Sequence, residues 1–248
     1  MSGHSKWSTI KRKKGATDAK RSKEFTRVIK AITVAVKSGG GPDPEANPSL
    51  RVAIANAKGV NMPKDNIERA ISKASDKDSA SLSEVSYEGY GPNGVAIFVD
   101  CTTDNLKRTV SNVRAIYTHG GGTLGTNGSL EFIFERKGVF TLPAGDLDED
   151  ELTLELIDGG AEDVVKEEDI FIVYTSFEDF GAMHKKLEEL NIEPENAQVQ
   201  RIPTTTKELG VSECKQILKL IERFEDDEDV QNVYHNLEIS EELIHELE

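Results

Sequence analysis

The hydrophobic positions near the start of the chain follow helical spacing. In the segment 19–37 the apolar residues stand three or four positions apart, which places them on one face of a helix. They are Phe25, Val28, Ile29, Ile32 and Val36. The glycine-rich segment 39–42 ends this helix, because glycine and proline interrupt helical structure. Most of the basic side chains of the segment fall on the opposite face.

Two further helices follow with clear start signals. Asn47 and Pro48 are typical of an N-cap and a first helical position, and the predicted helix ends at Gly59. A third helix is predicted from about Pro63, with its apolar residues again at helical spacing. A polar stretch, 76–83, then predicts a linker. The first 80 residues are therefore interpreted as a three-helix domain.

Beyond residue 83 the pattern alternates between strands and helices. The compact β-branched and aromatic run 95–99 predicts a strand, the segment 103–119 a helix, and the segment 130–134 a second strand. The segment 86–90 is a candidate for one more strand. From residue 138 onward the pattern predicts the order β-α-β-β-α-β, which is the ferredoxin-like split unit. Its predicted elements are 139–142, 148–157, 163–166, 170–175, 177–190 and 198–202.

The last predicted helix and strand, 212–224 and 230–235, have no sheet of their own. The simplest solution adds them to the interrupted unit that begins near residue 83. The predicted fold class is then a three-helix domain followed by two ferredoxin-like α/β domains, one inserted in the other. The predicted boundaries are 1–80 for the helical domain, 81–134 plus 204–248 for the discontinuous α/β domain, and 135–203 for the insertion.

Charge is distributed very unevenly along the chain. The formal net charge is −15, which by itself disfavours nucleic acid as a partner. Residues 1–37, however, contain eleven basic and two acidic side chains, a net charge of +9. Residues 38–80 are neutral, and residues 81–248 contain thirteen basic and thirty-seven acidic side chains, a net charge of −24. Such asymmetry indicates a polyanionic partner for the N-terminal arm.

Nucleic acid is the partner that this arm fits best, because clustered Lys and Arg side chains neutralise phosphates and release counterions. Trp7 can stack on a base. The residues predicted to bind are Lys6, Trp7, Lys11, Arg12, Lys13, Lys14, Lys20, Arg21, Lys23, Arg27, Lys30 and Lys64. A possible secondary basic patch is Lys107, Arg108 and Arg114, for which a solvated helix surface is the alternative interpretation.

Each sequence motif that resembles a catalytic or metal-binding site lacks a part that its chemistry requires. The G-x-G-x-x-G run at 89–94 precedes a strand rather than a helix, so a turn is predicted instead of a dinucleotide site. The run 119–122 resembles the oxyanion loop of some hydrolases, but the sequence has no G-x-S-x-G nucleophile elbow to accompany it, and the five histidines form no zinc-binding pair. Two distant cysteines are typical of a reducing cytoplasm. We therefore expect a cytoplasmic, non-enzymatic protein without cofactor, metal, membrane span or small-molecule substrate.

Several motifs together resemble the YebC/PmpR family of probable transcriptional regulatory proteins, which is related to mitochondrial translational activators of a cytochrome oxidase subunit. The motifs extend nearly from end to end of the chain. They are the segments 3–7, 61–67, 87–92, 103–105 with Arg108-Thr109, and 134–138.

The resemblance implies three domains and a cytoplasmic transcriptional regulator that binds DNA. Some members of the family act instead in translation on the ribosome, helping elongation through difficult sequences such as proline runs. The arm would then engage ribosomal RNA, whose recognition by shape and stacking needs no helix that reads the major groove. The residues support both targets, DNA and ribosomal RNA, about equally.

Overall fold

A computed structural model of the chain describes residues 18–76, 81–145, 147–167 and 169–240. Within these ranges the chain forms seven α-helices and two four-stranded sheets. The predicted fold class, a helical N-terminal region followed by α/β domains, is confirmed.

The helices and strands fall into three groups along the chain. The helical region contains α1 (Asp18–Ser38), α2 (Pro48–Gly59) and α3 (Lys64–Ser75). Next come β1 (Ser83–Tyr90), β2 (Ala96–Thr103), α4 (Leu106–His119) and β3 (Thr123–Leu124). The middle segment holds β4 (Phe134–Pro143), α5 (Glu149–Asp158), β5 (Ala161–Glu167), β6 (Ile170–Ser176), α6 (Phe180–Glu189) and β7 (Asn196–Pro203). Helix α7 (Val211–Asp226) and strand β8 (Val230–His235) then rejoin the group that begins with β1.

Asn47 organises the connection between α1 and α2. Its side chain is fully buried, and its Oδ1 accepts a hydrogen bond from the Leu50 amide at 3.0 Å, as the predicted N-cap requires. Its Nδ2 donates to the carbonyl oxygens of Ala35 and Gly41, each at 2.8 Å. One side chain thus joins the end of α1, the glycine turn and the start of α2.

The first sheet has the order β3-β1-β2-β8, and its neighbouring strands are antiparallel. Strands β1 and β2 form a hairpin in which Ser83 pairs with Thr103 and Tyr90 with Ala96. The last strand of the chain, β8, pairs with β2 although the middle segment lies between them in sequence. The middle segment is therefore an insertion into this sheet's domain.

Both faces of the first sheet are covered by apolar side chains. Helices α4 and α7 contribute to the core on one face, where the rings of Tyr117 and Phe224 meet edge to face with centroids 4.7 Å apart. On the other side, Phe98 meets Phe134 edge to face at 6.0 Å, within a cluster that also includes Leu130. Apolar clusters therefore cover both faces of this sheet, and neither face is left as an open surface.

The second sheet has the order β5-β6-β4-β7, the arrangement of the ferredoxin-like unit predicted from the pattern. Strand β6 pairs antiparallel with both β4 and β5. Helices α5 and α6 pack their apolar faces on the sheet, with Leu156 and Met183 fully buried against Phe140 and Phe171. Val52 of α2 also packs against this cluster.

The described chain divides into two compact units. One contains residues 18–23, 81–135 and 201–240, and the other contains residues 24–76 together with the described part of 136–200. In the second unit, the helical region and the inserted segment pack together. The exact domain boundaries expected from the sequence remain a prediction, and β4 extends across the boundary expected between residues 134 and 135.

Several details predicted from the sequence are wrong, among them the start of α4, which begins at Leu106 instead of residue 103. Residues 131–133 form a turn, and the strand predicted at 130–134 begins only at Phe134. Ser176 and Asp179 hold a turn through a 2.9 Å hydrogen bond, so α6 begins three residues later than predicted. Ile29, placed in the apolar stripe of α1, is 38% exposed, whereas Ala35 is buried.

Candidate nucleic-acid interface

The predicted arm lies mainly outside the described residues. This applies to Lys6, Trp7, Lys11, Arg12, Lys13 and Lys14, and also to the side chain of Lys20. Their role in binding therefore remains a prediction. The described part of the candidate interface begins with the basic side chains of α1.

Four basic residues follow one side of α1. At about 100° per residue, Lys23, Arg27, Lys30 and Lys37 fall within an arc of roughly 80°. They extend over about 20 Å along the helix axis, opposite the side that packs into the helical core. We call these four residues the α1 stripe. Arg21 is exposed but lies outside it, on the side of Phe25.

Lys23 of the α1 stripe has a carboxylate partner. Lys23 forms an ion pair with Asp226 at the end of α7, a residue of the same compact unit. Both side chains are largely exposed, and such surface pairs contribute little free energy. A phosphate can therefore compete with Asp226 for this ammonium group at small cost.

Helix α3 carries exposed cations beyond the one predicted. Lys64 is exposed in the first turn, where its Nζ lies 3.5 Å from Glu68. Arg69 and Lys73 are also exposed and stand four positions apart, so they lie on one side of the helix. Sequence reasoning missed this pair, although its i, i+4 spacing is the signal that identifies it.

The secondary patch on α4 separates into two kinds of residue. Lys107 and Arg114 are exposed, and their seven-residue separation places them on the same side of the helix. Arg108 lies about 100° away and binds carboxylates instead. Its guanidinium donates to Asp229 at 2.8 and 2.9 Å and to Asp104 at 2.8 Å.

The Arg108 contacts belong to a buried network. Asp229 is 3% exposed, and its Oδ2 also accepts a hydrogen bond from the buried Thr109 hydroxyl at 2.9 Å. Hydrogen bonds to Asp229 and Asp104 raise the pKa of Arg108 above its usual value. Asn105 caps α4 by accepting a hydrogen bond from the Arg108 amide at 3.1 Å. The motif at 103–109 therefore holds the start of α4 to the strand region before β8.

The glycine motif at 89–94 connects β1 to β2, as the turn prediction required. The Gly91 amide donates to the Val95 carbonyl oxygen at 2.8 Å, and Asn93 and Gly94 adopt positive φ angles. The neighbouring Glu88 is buried, and its carboxylate accepts hydrogen bonds from the amides of Gly128 and Leu130 at 2.7 and 2.6 Å. This motif fixes backbone and offers no phosphate cradle.

The buried titratable side chains of Cys214 and Tyr117 lie in the apolar core of the first sheet. Burial raises the pKa of the Cys214 thiol, which disfavours the nucleophilic thiolate. Burial also raises the pKa of Tyr117, whose hydroxyl donates to the Ile97 carbonyl oxygen at 2.8 Å. Among the described residues no group of three or more His, Cys, Asp or Glu is arranged to hold a metal ion. Nor does any described helix combine the length and apolar character needed to span a membrane.

These features define a multi-domain α/β protein whose helical N-terminal region presents a basic stripe. Two family models match nearly the whole chain. The TACO1/YebC protein N-terminal domain matches residues 5–77, and the TACO1/YebC second and third domain matches residues 82–237. The chain belongs to the TACO1/YebC family.

Relatives of similar length support this membership. A probable transcriptional regulatory protein of Amoebophilus asiaticus is 52% identical and covers 96% of this chain and 98% of its own length. One from Geotalea uraniireducens is 51% identical and covers 98% of both chains. The crystal structure of a conserved hypothetical protein from Aquifex aeolicus superimposes with a TM-score of 0.81 at 43% identity, covering 90% of this chain and 93% of that one.

Proposed function

We propose that this protein is a non-enzymatic regulator of transcription that binds DNA through its basic arm and the α1 stripe. The observation that supports this most is the charge asymmetry, +9 over residues 1–37 against −24 over residues 81–248. The names of the relatives, probable transcriptional regulatory proteins, point to the same class of function.

The binding mode follows from the residue types. Lys and Arg contact phosphate without reading sequence, and they make affinity fall steeply with salt. Residues 81–248, with a net charge of −24, repel phosphate, which restricts contact to the arm and the helical region. On this view the arm and the stripe supply most of the affinity, and the acidic domains suppress non-specific coating of the duplex.

The test compares two double variants of the full chain on one labelled duplex. Lys13→Ala with Lys14→Ala removes two predicted phosphate contacts, and the salt slope of log K falls by about two. Lys185→Ala with Lys219→Ala removes the same number of exposed lysines from the acidic domains and leaves the slope unchanged. Equal effects of the two double variants would contradict the role of the arm.

DNA and ribosomal RNA are separated by a second measurement. Sedimentation at physiological salt tests whether the full chain migrates with ribosomes. A DNA-binding regulator stays in the supernatant and binds duplex DNA, whereas ribosome binding that is lost on Lys13→Ala with Lys14→Ala would assign the arm to ribosomal RNA. That result would overturn the transcriptional role and retain nucleic-acid binding.

A further inference from the structure

Helix α5 exposes apolar side chains on the side that faces away from its own core. Leu152 and Leu156 are buried against the second sheet, at 5% and 0% exposure. Leu154 and Ile157 are 68% and 56% exposed. At about 100° per residue, Leu154 stands opposite the centre of the buried pair, and Ile157 lies about 60° from Leu154. The side chains of Leu154 and Ile157 therefore take no part in the packing of α5 on its sheet.

Carboxylates surround this exposed pair. Asp150, Glu151 and Asp158 fall on the same outward side of the helix. The carboxylates on the flanks are neutralised, since Glu155 pairs with Lys186 at 2.6 Å and Glu149 with Lys166 at 3.5 Å. Asp150 and Glu151, by contrast, form no ion pair with any residue in the described part of the chain.

The charge of the inserted segment limits what can bind there. Residues 135–203 contain nineteen acidic and six basic side chains, a net charge of −13. Phosphate groups of nucleic acid and anionic lipid headgroups are repelled by such a surface. Complementarity requires a partner that is both cationic and apolar, and a protein segment combines these properties.

We propose that the outward face of α5, formed by Asp150, Glu151, Leu154, Ile157 and Asp158, docks a basic amphipathic helix of a partner protein. Apolar residues three or four positions apart on the partner pack on Leu154 and Ile157, the spacing by which helices pair. Lys and Arg beside those residues pair with the surrounding carboxylates. This surface shares no residue with the arm or the α1 stripe.

The test uses the full chain and a defined probe. The probe is a fluorescent 18-residue helical peptide with leucines along one face and lysines elsewhere, titrated by anisotropy. Leu154→Gln with Ile157→Gln keeps good helix formers in α5 and removes the apolar contact, so the Kd rises roughly tenfold or more. Asp150→Lys with Glu151→Lys also raises the Kd of the peptide at low salt. This increase relative to the natural chain becomes smaller as the salt concentration rises, because salt screens the charges.

Three controls decide the outcome. Phe132→Gln removes a 76% exposed apolar side chain elsewhere and leaves the Kd unchanged. A peptide of identical composition with its leucines scattered around the helix binds at least tenfold more weakly. Equal binding of both peptides, or an unchanged Kd for Leu154→Gln with Ile157→Gln, would overturn the proposal. Sedimentation equilibrium gives a monomer, and a dimer abolished by the same double substitution would assign the face to a second copy of the chain.

Discussion

Asn56 on α2 pairs with the backbone of Ala197 on β7 through two hydrogen bonds. Its Nδ2 donates to the Ala197 carbonyl oxygen at 2.9 Å, and its Oδ1 accepts from the Ala197 amide at 2.7 Å. An asparagine side chain thus occupies the place of a peptide group beside an edge strand. Because Ala197 is fully buried, no solvent replaces this partner. The pair joins the helical region to the inserted segment within one compact unit.

Asn56→Ala leaves the amide and carbonyl of Ala197 without their partner, which costs about 1–3 kcal/mol of the free energy of unfolding. Urea denaturation monitored by circular dichroism measures the loss. Asn112→Ala is the matched control, since its exposed side chain donates to the Asp227 carboxylate at 3.0 Å. That change stays within about 0.5 kcal/mol. Equal losses in the two variants would contradict the role assigned to Asn56.

Gly59 provides a second test of the same contact. A Cβ at this position would stand 1.7 Å from the Glu195 carbonyl oxygen, so Gly59→Ala forces α2 away from the inserted segment. The expected loss is about 1–3 kcal/mol, as for other overpacked sites. A Cβ at Gly181, the second residue of α6, meets nothing within 4 Å, so Gly181→Ala raises stability by about 0.4–1 kcal/mol through the unfolded state. Thermal melts test both variants, with a lower Tm expected for Gly59→Ala and a higher Tm for Gly181→Ala.

Arg108 is expected to act on stability rather than on nucleic-acid affinity. Arg108→Ala leaves the buried Asp229 carboxylate without its guanidinium and lowers the midpoint of urea unfolding. Thr109→Val removes the hydroxyl that donates to the same carboxylate, at a cost of about 1–3 kcal/mol. Lys107→Ala, one position before, leaves the midpoint unchanged. A weaker affinity for DNA with an unchanged midpoint in Arg108→Ala would assign Arg108 to the interface instead.

Because of His184, the free energy of unfolding is expected to decrease as the pH falls. Burial lowers its pKa below the ordinary value of 6.5; Glu188, with an oxygen 3.4 Å away, opposes this shift, and Arg51 reinforces it. The unfolded state therefore takes up a proton before the folded state does. Stability is retained above pH 6.5 and declines as pH falls from there toward the lower folded pKa, by at most about 1.4 kcal/mol per pH unit.

The measurement is a set of urea titrations between pH 7.5 and pH 5 for the natural chain and His184→Gln. The variant lacks the titrating group, so its stability changes less over this interval. The difference between the two curves isolates His184 from the carboxylates, which titrate in both proteins. Parallel curves would show that the pKa of His184 does not change on folding.

The arrangement of helices and strands could be predicted well because its signals are local. Asn47 and Pro48 mark the start of α2 wherever the helix is placed, and the strand Val230–His235 has the predicted bounds. The fold class followed from the order of these elements. The strand predicted at 130–134 is wrong for residues 130–133 because an apolar run has the same pattern in a strand and in a buried turn. In the folded chain, Leu130 and Phe134 pack in the cluster around Phe98.

The sequence by itself determined most of the helices and strands, their order and the contrast between a basic arm and acidic domains, since these depend on neighbouring residues or on simple counts of charge. Only the tertiary structure decided which charges are available. Arg108 meets Asp229 across 121 positions, and Asn56 meets Ala197 across 141. Such partners are brought together by the packing of whole elements, and no local pattern encodes them. For the same reason, the exposure of Leu154 on α5 follows only from the packing of Leu152 and Leu156 on the second sheet.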